Sequence, residues 1–195
     1  MTYPRLQWQD QEWEPVFTDL DEVPWAKLPV EVLARRGILR GGREKEYAPR
    51  ENMTRGDFLY SLIRALRATA DFTGNFADVG EGDYYYWEAG VARALGIAVG
   101  TGDNKLEPQA EITRQDMLVL AERGLRLLKK LDTRGTVSEL ARFVDRDRVA
   151  DYAAESIAAL VRERLLGGRE GKIDPLAPVT RAEAALFLFK LYNRY

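Results

Sequence analysis

The chain has 195 residues, enough for one large domain or a few small units that share a core. It is 46% hydrophobic and 31% charged, the profile of a chain that folds, and its formal net charge of −2 lacks the basic excess of a general nucleic-acid surface. Cysteine and histidine are both absent, which excludes disulfides, thiolate metal sites, the commonest metal ligand and the Ser-His or Cys-His pairs of most nucleophilic enzymes.

Residues 1–16, with Trp8 and Trp13, form an N-terminal extension, a linker end or a strap. They carry no basic stretch followed by an apolar one, and no run in the chain approaches the length of a membrane span. Beyond them the sequence repeats. Phe-x-Asp triplets stand at Phe17, Phe76 and Phe143, and Thr-Arg-x-acid tetrads start at Thr54, Thr113 and Thr180. The distance from Phe to Thr is 37 residues in all three copies. A proline lies five residues before each Thr (Pro49, Pro108, Pro175) and a glycine thirteen before it (Gly41, Gly100, Gly167). Four anchors in fixed register, three times over, define tandem units at 17–75, 76–142 and 143–195. The second carries eight extra residues, in or near 132–140.

Each unit reads as two helices and a loop. Apolar stretches predict first helices over 24–36, 85–95 and 151–165, the first interrupted by Pro29, which should kink it or delay its start. Glycines then break the pattern: Gly37 and Gly41, Gly96 and Gly100, Gly167 and Gly168. In the third unit Glu163 stands where the spacing puts Gly37 and Gly96. Each Thr suits a helix N-cap, and Asp57, Asp116 or Glu183 three residues later completes the capping-box pattern. The second helices are apolar on most faces, so they should pack on one another, with Phe58, Leu62, Met117, Leu118, Leu186 and Leu188 at or near the centre. The fold class is all-α.

The segments Gly37-Ile38-Leu39-Arg40-Gly41 and Gly96-Ile97-Ala98-Val99-Gly100, with Ile112-Thr113-Arg114-Gln115-Asp116 and Val179-Thr180-Arg181-Ala182-Glu183, resemble the S-layer homology family over residues 17–195. The resemblance implies a monomer in which three repeats pack as a pseudo-threefold trimer around a central bundle. It implies a non-catalytic module whose inter-repeat grooves bind acidic, often pyruvylated, secondary cell-wall polysaccharide or peptidoglycan-linked glycan. It also implies fusion to a larger exported protein on the bacterial surface, whose signal peptide is not in this sequence. No cofactor is expected. The competing reading is a protein–protein assembly module whose grooves take acidic peptide segments.

The resemblance makes Arg55, Arg114 and Arg181 the groove arginines. Arginine just inside a helix N-terminus opposes the dipole by roughly 0.3–1 kcal/mol. Either a salt bridge to Asp19, Asp78 or Asp145 explains it, or an anion held jointly by the guanidinium and exposed helix N–H groups. Asp19 and Asp78 are binding candidates whose simpler role is a turn or cap. Gly41 and Gly100 would let a sugar approach the backbone, and Trp87, in the aromatic run 84–87, would wall a groove. Asp103-Asn104-Lys105 lacks the alternating acids of a calcium loop and reads as a turn. No carboxylate pair is singled out by spacing for glycoside hydrolysis.

Overall fold

The structure, a computed structural model, describes residues 14–168 and 170–195. Trp8 and Trp13 of the extension lie outside them. Among the described residues the regular elements are helices, in the order α1 (Pro24–Arg35), α2 (Arg55–Leu66), α3 (Tyr86–Ala94), α4 (Arg114–Leu127), α5 (Asp151–Arg162) and α6 (Arg181–Arg194), with short 3-10 turns at Leu20–Glu22, Val137–Arg142 and Arg146–Arg148. The first repeat supplies α1 and α2, the second α3 and α4, the third α5 and α6.

The expected centre is largely there. Phe58, Leu62, Leu118 and Leu188 are fully buried and Met117 nearly so, while Leu186 is only half-buried at the rim. α2 packs on both α4 and α6. The first helix of each repeat does not fold back on its own second helix. α3 lies on α2, α5 on α4, and α1 crosses the whole chain to lie on α6. Each packing pair therefore joins two repeats, and the last pair closes the chain on itself. α1 starts at Pro24, a residue suited to the first helical turn because it needs no N–H partner there. It runs through Pro29 without a delayed start: Ala26, Pro29, Val30 and Leu33 are all buried, and that packing outweighs one lost backbone bond.

At the centre, three backbone amides form a ring. Met53 N–H donates to Val179 C=O (2.7 Å), Val179 N–H to Ile112 C=O (3.2 Å) and Ile112 N–H to Met53 C=O (2.9 Å). The helix starts are sealed the same way. Arg55 and Gly56 N–H donate to Ala110 and Pro108, Arg114 and Gln115 to Ala177 and Pro175, and Arg181 and Ala182 to Glu51 and Pro49. The third amide of each helix goes to its Thr cap: Asp57 to Thr54, Asp116 to Thr113 and Glu183 to Thr180. The proline loops thus exist to satisfy the orphan donors of the neighbouring repeat's helix. Of the three Thr-capped α-helices, α6 closes the reciprocal capping box, where Glu183 reaches back to Thr180 N–H at 3.1 Å. Asp57 and Asp116 are one methylene shorter and do not close that bond; Asp116 accepts instead from the Thr113 hydroxyl at 2.8 Å.

The loops between helices follow one plan. Asp19 accepts from Tyr47 and Ala48 N–H, Asp78 from Leu106 and Glu107, and Asp145 from Ile173 and Asp174, all at 2.7–2.9 Å. The residue before each proline (Ala48, Glu107, Asp174) has a positive φ of 53–57°. That conformation costs a non-glycine residue about 1–2 kcal/mol, which two charge-assisted bonds of roughly 1.5–3 kcal/mol each offset. Buried Phe17, Phe76 and Phe143 press on a glycine in the same loop: a Cβ would come within 2.7 Å of the Phe17 ring at Gly41, 3.3 Å of Phe76 at Gly100 and 2.4 Å of Phe143 at Gly168.

Gly168 is therefore the third repeat's counterpart of Gly41 and Gly100, where the spacing named Gly167. The left-handed residue after the first helix is Gly37, Gly96 and then Arg164 (φ 58°), so Glu163 is no substitute for a glycine. Ile38, Ile97 and Leu165 N–H close the same bond, to Leu33, Ala92 and Leu160 C=O. The third repeat carries one extra residue before Asp151 and one fewer after Gly168. The constant spacing of 37 conceals this compensated shift. The extra linker of the second repeat passes under α5, where Gly135 touches the backbone of Ala158 and Ala159.

Candidate functional site

Each Thr-Arg-x-acid arginine points across a repeat boundary, and the partner is the capping-position acid of the next helix, not Asp19, Asp78 or Asp145. Arg55 Nη1 is 3.7 Å from Asp116, Arg114 Nη1 is 3.8 Å from Glu183 and Arg181 Nη1 is 2.8 Å from Asp57. Since the helix N–H groups are consumed by the proline loops, the guanidinium acts without them.

Around each pair the same parts converge. An exposed aromatic comes from the remaining repeat: Trp25 near Arg114, Tyr152 near Arg55 and Tyr84 near Arg181. A glycine-bearing loop forms one wall. Nine residues after the arginine position, the acid's own helix supplies a second cation: Arg64, Arg123 or Lys190. Two of the three sites are open clefts. One, of about 430 Å³, is lined by Arg114, Glu183, Leu186, Lys190, Gly167, Gly168 and Trp25. The other, of about 550 Å³, is lined by Arg55, Asp116, Arg123, Val99, Gly100 and Tyr152.

The three arginines differ in how far they are satisfied. Arg181 is buried; its Nε donates to Tyr47 C=O (2.8 Å), Nη1 to Asp57 (2.8 Å) and Nη2 to Arg40 C=O (2.6 Å). Arg55 spends Nε on Leu106 C=O at 2.9 Å. Arg114 has a buried Nε with no hydrogen-bond partner among the described residues. Its side chain is part-exposed on the cleft and Nη1 makes only the long ion pair, so the outer nitrogens can take an incoming acceptor.

The hydroxyls beside these acids are held protonated. Burial first, then the hydrogen bond to Asp116 at 2.7 Å, push the Tyr152 phenol up to about 12. Burial and the Asp57 contact push Tyr84 up as well. Both rings are neutral donors across physiological pH, and neither is a base. Among the described residues no group of three or more acids could hold a metal ion.

The candidates sort accordingly. Arg55, Arg114 and Gly100 line open clefts. Arg181 is in the third, fully paired site. Gly41 is wedged between Phe17 and the Glu46 carbonyl. Asp19 and Asp78 are clamps on the loop backbone. Burial would raise the Asp78 carboxyl, but the Leu106 and Glu107 amides outweigh it and hold the group below the ordinary carboxylate value. Trp87 stands exposed on α3 and lines neither open cleft. The loop residue at position 40, 99 or 167 and the cation at 64, 123 or 190 were not among the site candidates read from the sequence. The cation was visible as a basic residue recurring nine positions after each groove arginine.

These repeats match the S-layer homology domain model three times, over residues 16–59, 75–118 and 142–185. An amylopullulanase of Thermoanaerobacterium thermosulfurigenes is 30% identical over 94% of the chain, and the exoglucanase XynX of Acetivibrio thermocellus is 31% identical over 91%. The S-layer protein sap of Bacillus anthracis is 26% identical over 92%. The chain spans only 10%, 16% and 21% of the length of these relatives. With three family matches covering most of the chain and the repeated site in each, this protein belongs to the S-layer homology domain family.

Proposed function

We propose that the chain is a non-catalytic cell-wall anchoring module, acting at the bacterial surface as part of a larger exported protein. The clefts at Arg55 and Arg114 take acidic, often pyruvylated, secondary cell-wall polysaccharide. The observation that carries this is the Arg114 cleft: a part-exposed guanidinium held by a long ion pair, and Lys190, flank an exposed Trp25 face. An anionic substituent suits the cations, and a sugar ring suits the indole. The ring of backbone bonds at Met53, Ile112 and Val179 and the cyclic α1–α6 packing support a monomer with pseudo-threefold symmetry. Co-sedimentation with purified cell-wall sacculi, before and after acid strips the secondary polymer, tests the reading. Retention is expected only before stripping. No retention in either case overturns it and leaves acidic protein segments as the ligand.

A further inference from the structure

The third site has the aromatic, the acid and the arginine of the other two, yet it already holds a cation. The Arg40 guanidinium lies 4.3 Å from the centre of the Tyr84 ring and 5.9 Å from that of Tyr60. Position 40 immediately precedes the loop glycine Gly41. Its counterparts, preceding Gly100 and Gly168, are Val99 and Gly167, and each lines an open cleft. At this position the three loops carry arginine, valine and glycine.

We infer that Arg40 is a built-in occupant of the Arg181 site, so that this chain has two receptive clefts and one self-filled one. The inference rests on the anchoring reading for its ligand but not for its geometry. A cation over a ring face is attracted to it, and the face so covered is the one on which a sugar would stack. Behind it, Arg181 has Nε, Nη1 and Nη2 all engaged within 2.6–2.8 Å, the last on the carbonyl of Arg40 itself. Tyr84 OH also bonds Asp57. The occupant, the aromatic, the acid and the arginine form one closed set. Arg114 presents the opposite state, more exposed than Arg181, 3.8 Å from its acid where Arg181 is 2.8 Å from its own, and with a glycine at the filling position.

The test exchanges the filling residue. Calorimetric titration uses the methyl glycoside of a 4,6-pyruvylated N-acetylhexosamine as a monovalent probe. The wild-type chain should take up two equivalents, and Arg40→Gly and Arg40→Val, the residues of the other loops, three. Val99→Arg, at an exposed position, should reduce uptake to one. Three equivalents in the wild type, or two in the folded Arg40 variants, would overturn the inference. A glycan-independent readout runs in parallel: photo-CIDNP NMR of tyrosine accessibility. The Tyr84 signal should rise in Arg40→Gly while that of Tyr152 stays constant. If no variant takes up the probe yet Tyr84 becomes accessible, the anchoring reading fails and the filling role stands. An unchanged Tyr84 signal sinks the filling role.

Discussion

At the scale of single residues, one position in a motif has taken three roles. Arg114 is poised for a ligand, Arg55 is half-committed and Arg181 is a staple. Arg114→Ala should therefore weaken wall-polymer binding and leave the thermal midpoint nearly unchanged. A charge-assisted bond of roughly 1.5–3 kcal/mol corresponds to about 10- to 150-fold in affinity, read by calorimetry beside circular dichroism. Lysine there should restore only part, since it lacks the planar fork. Arg181→Ala should do the reverse: little change in affinity, but about 3 kcal/mol less stability in urea, because Asp57 loses its partner beside a buried contact. Equal effects on both properties in both variants would contradict this division. The Asp78 clamp has a pH signature. Its native carboxyl titrates below its unfolded value, so its stabilisation is complete above about pH 4 and is lost as pH falls through the native value. Asp78→Asn should cost about 1–3 kcal/mol at pH 7, and the gap from wild type should narrow by pH 3. A gap independent of pH would show that the charge is not what matters.

Among the elements, local chemistry was legible and register was not. The Thr caps, the buried second helices and the glycine breaks could be read because each is a short-range requirement: an amide to satisfy, a face to bury, a positive φ. The extra residue before Asp151 and the missing one after Gly168 could not be read, because they cancel before the next anchor. Only the Phe143–Gly168 contact and the left-handed Arg164 expose them. The sites suffered similarly. The arginines recur in the motif, but their acids, aromatics and loop walls come from other repeats, and no spacing within one copy encodes that. Asp19 and Asp78 could be read as binding residues or as turn residues, and recurrence alone does not choose; in the fold each clamps two amides of its loop. The long linker offers an element-scale test. A Cβ at Gly135 would lie 2.1 Å from the Ala159 nitrogen, and backbone cannot yield as a side-chain tip can. Gly135→Ala should cost about 2 kcal/mol, seen as a melting point lower by roughly 4–8 °C at about 2–4 °C per kcal/mol for this size. An unchanged melting point would show the linker to be a passive tether.

Over the whole molecule, stability is shared around a closed circuit. Ending the chain before Phe143 removes α5 and α6, bares the faces of α4 and α1 that they cover, and opens the Met53–Ile112–Val179 ring. The remaining two repeats should aggregate or melt far below the intact chain in size-exclusion and thermal scans. A monomeric, cooperative fragment of similar stability would show the repeats to be independent. The circuit also bears on descent. The first repeat gives its arginine to one cleft, its acid and loop to the self-filled site, and its tryptophan to the remaining cleft; the other two do likewise in rotation. A heritable change anywhere in one copy is thus felt at a different address from its neighbours in the same copy. Gaining or losing a copy would not add or subtract a cleft but would leave every address half furnished. Such a module can diversify in what it recognises by single side chains, as at positions 40, 99 and 167, while its three copies remain bound to a common lineage.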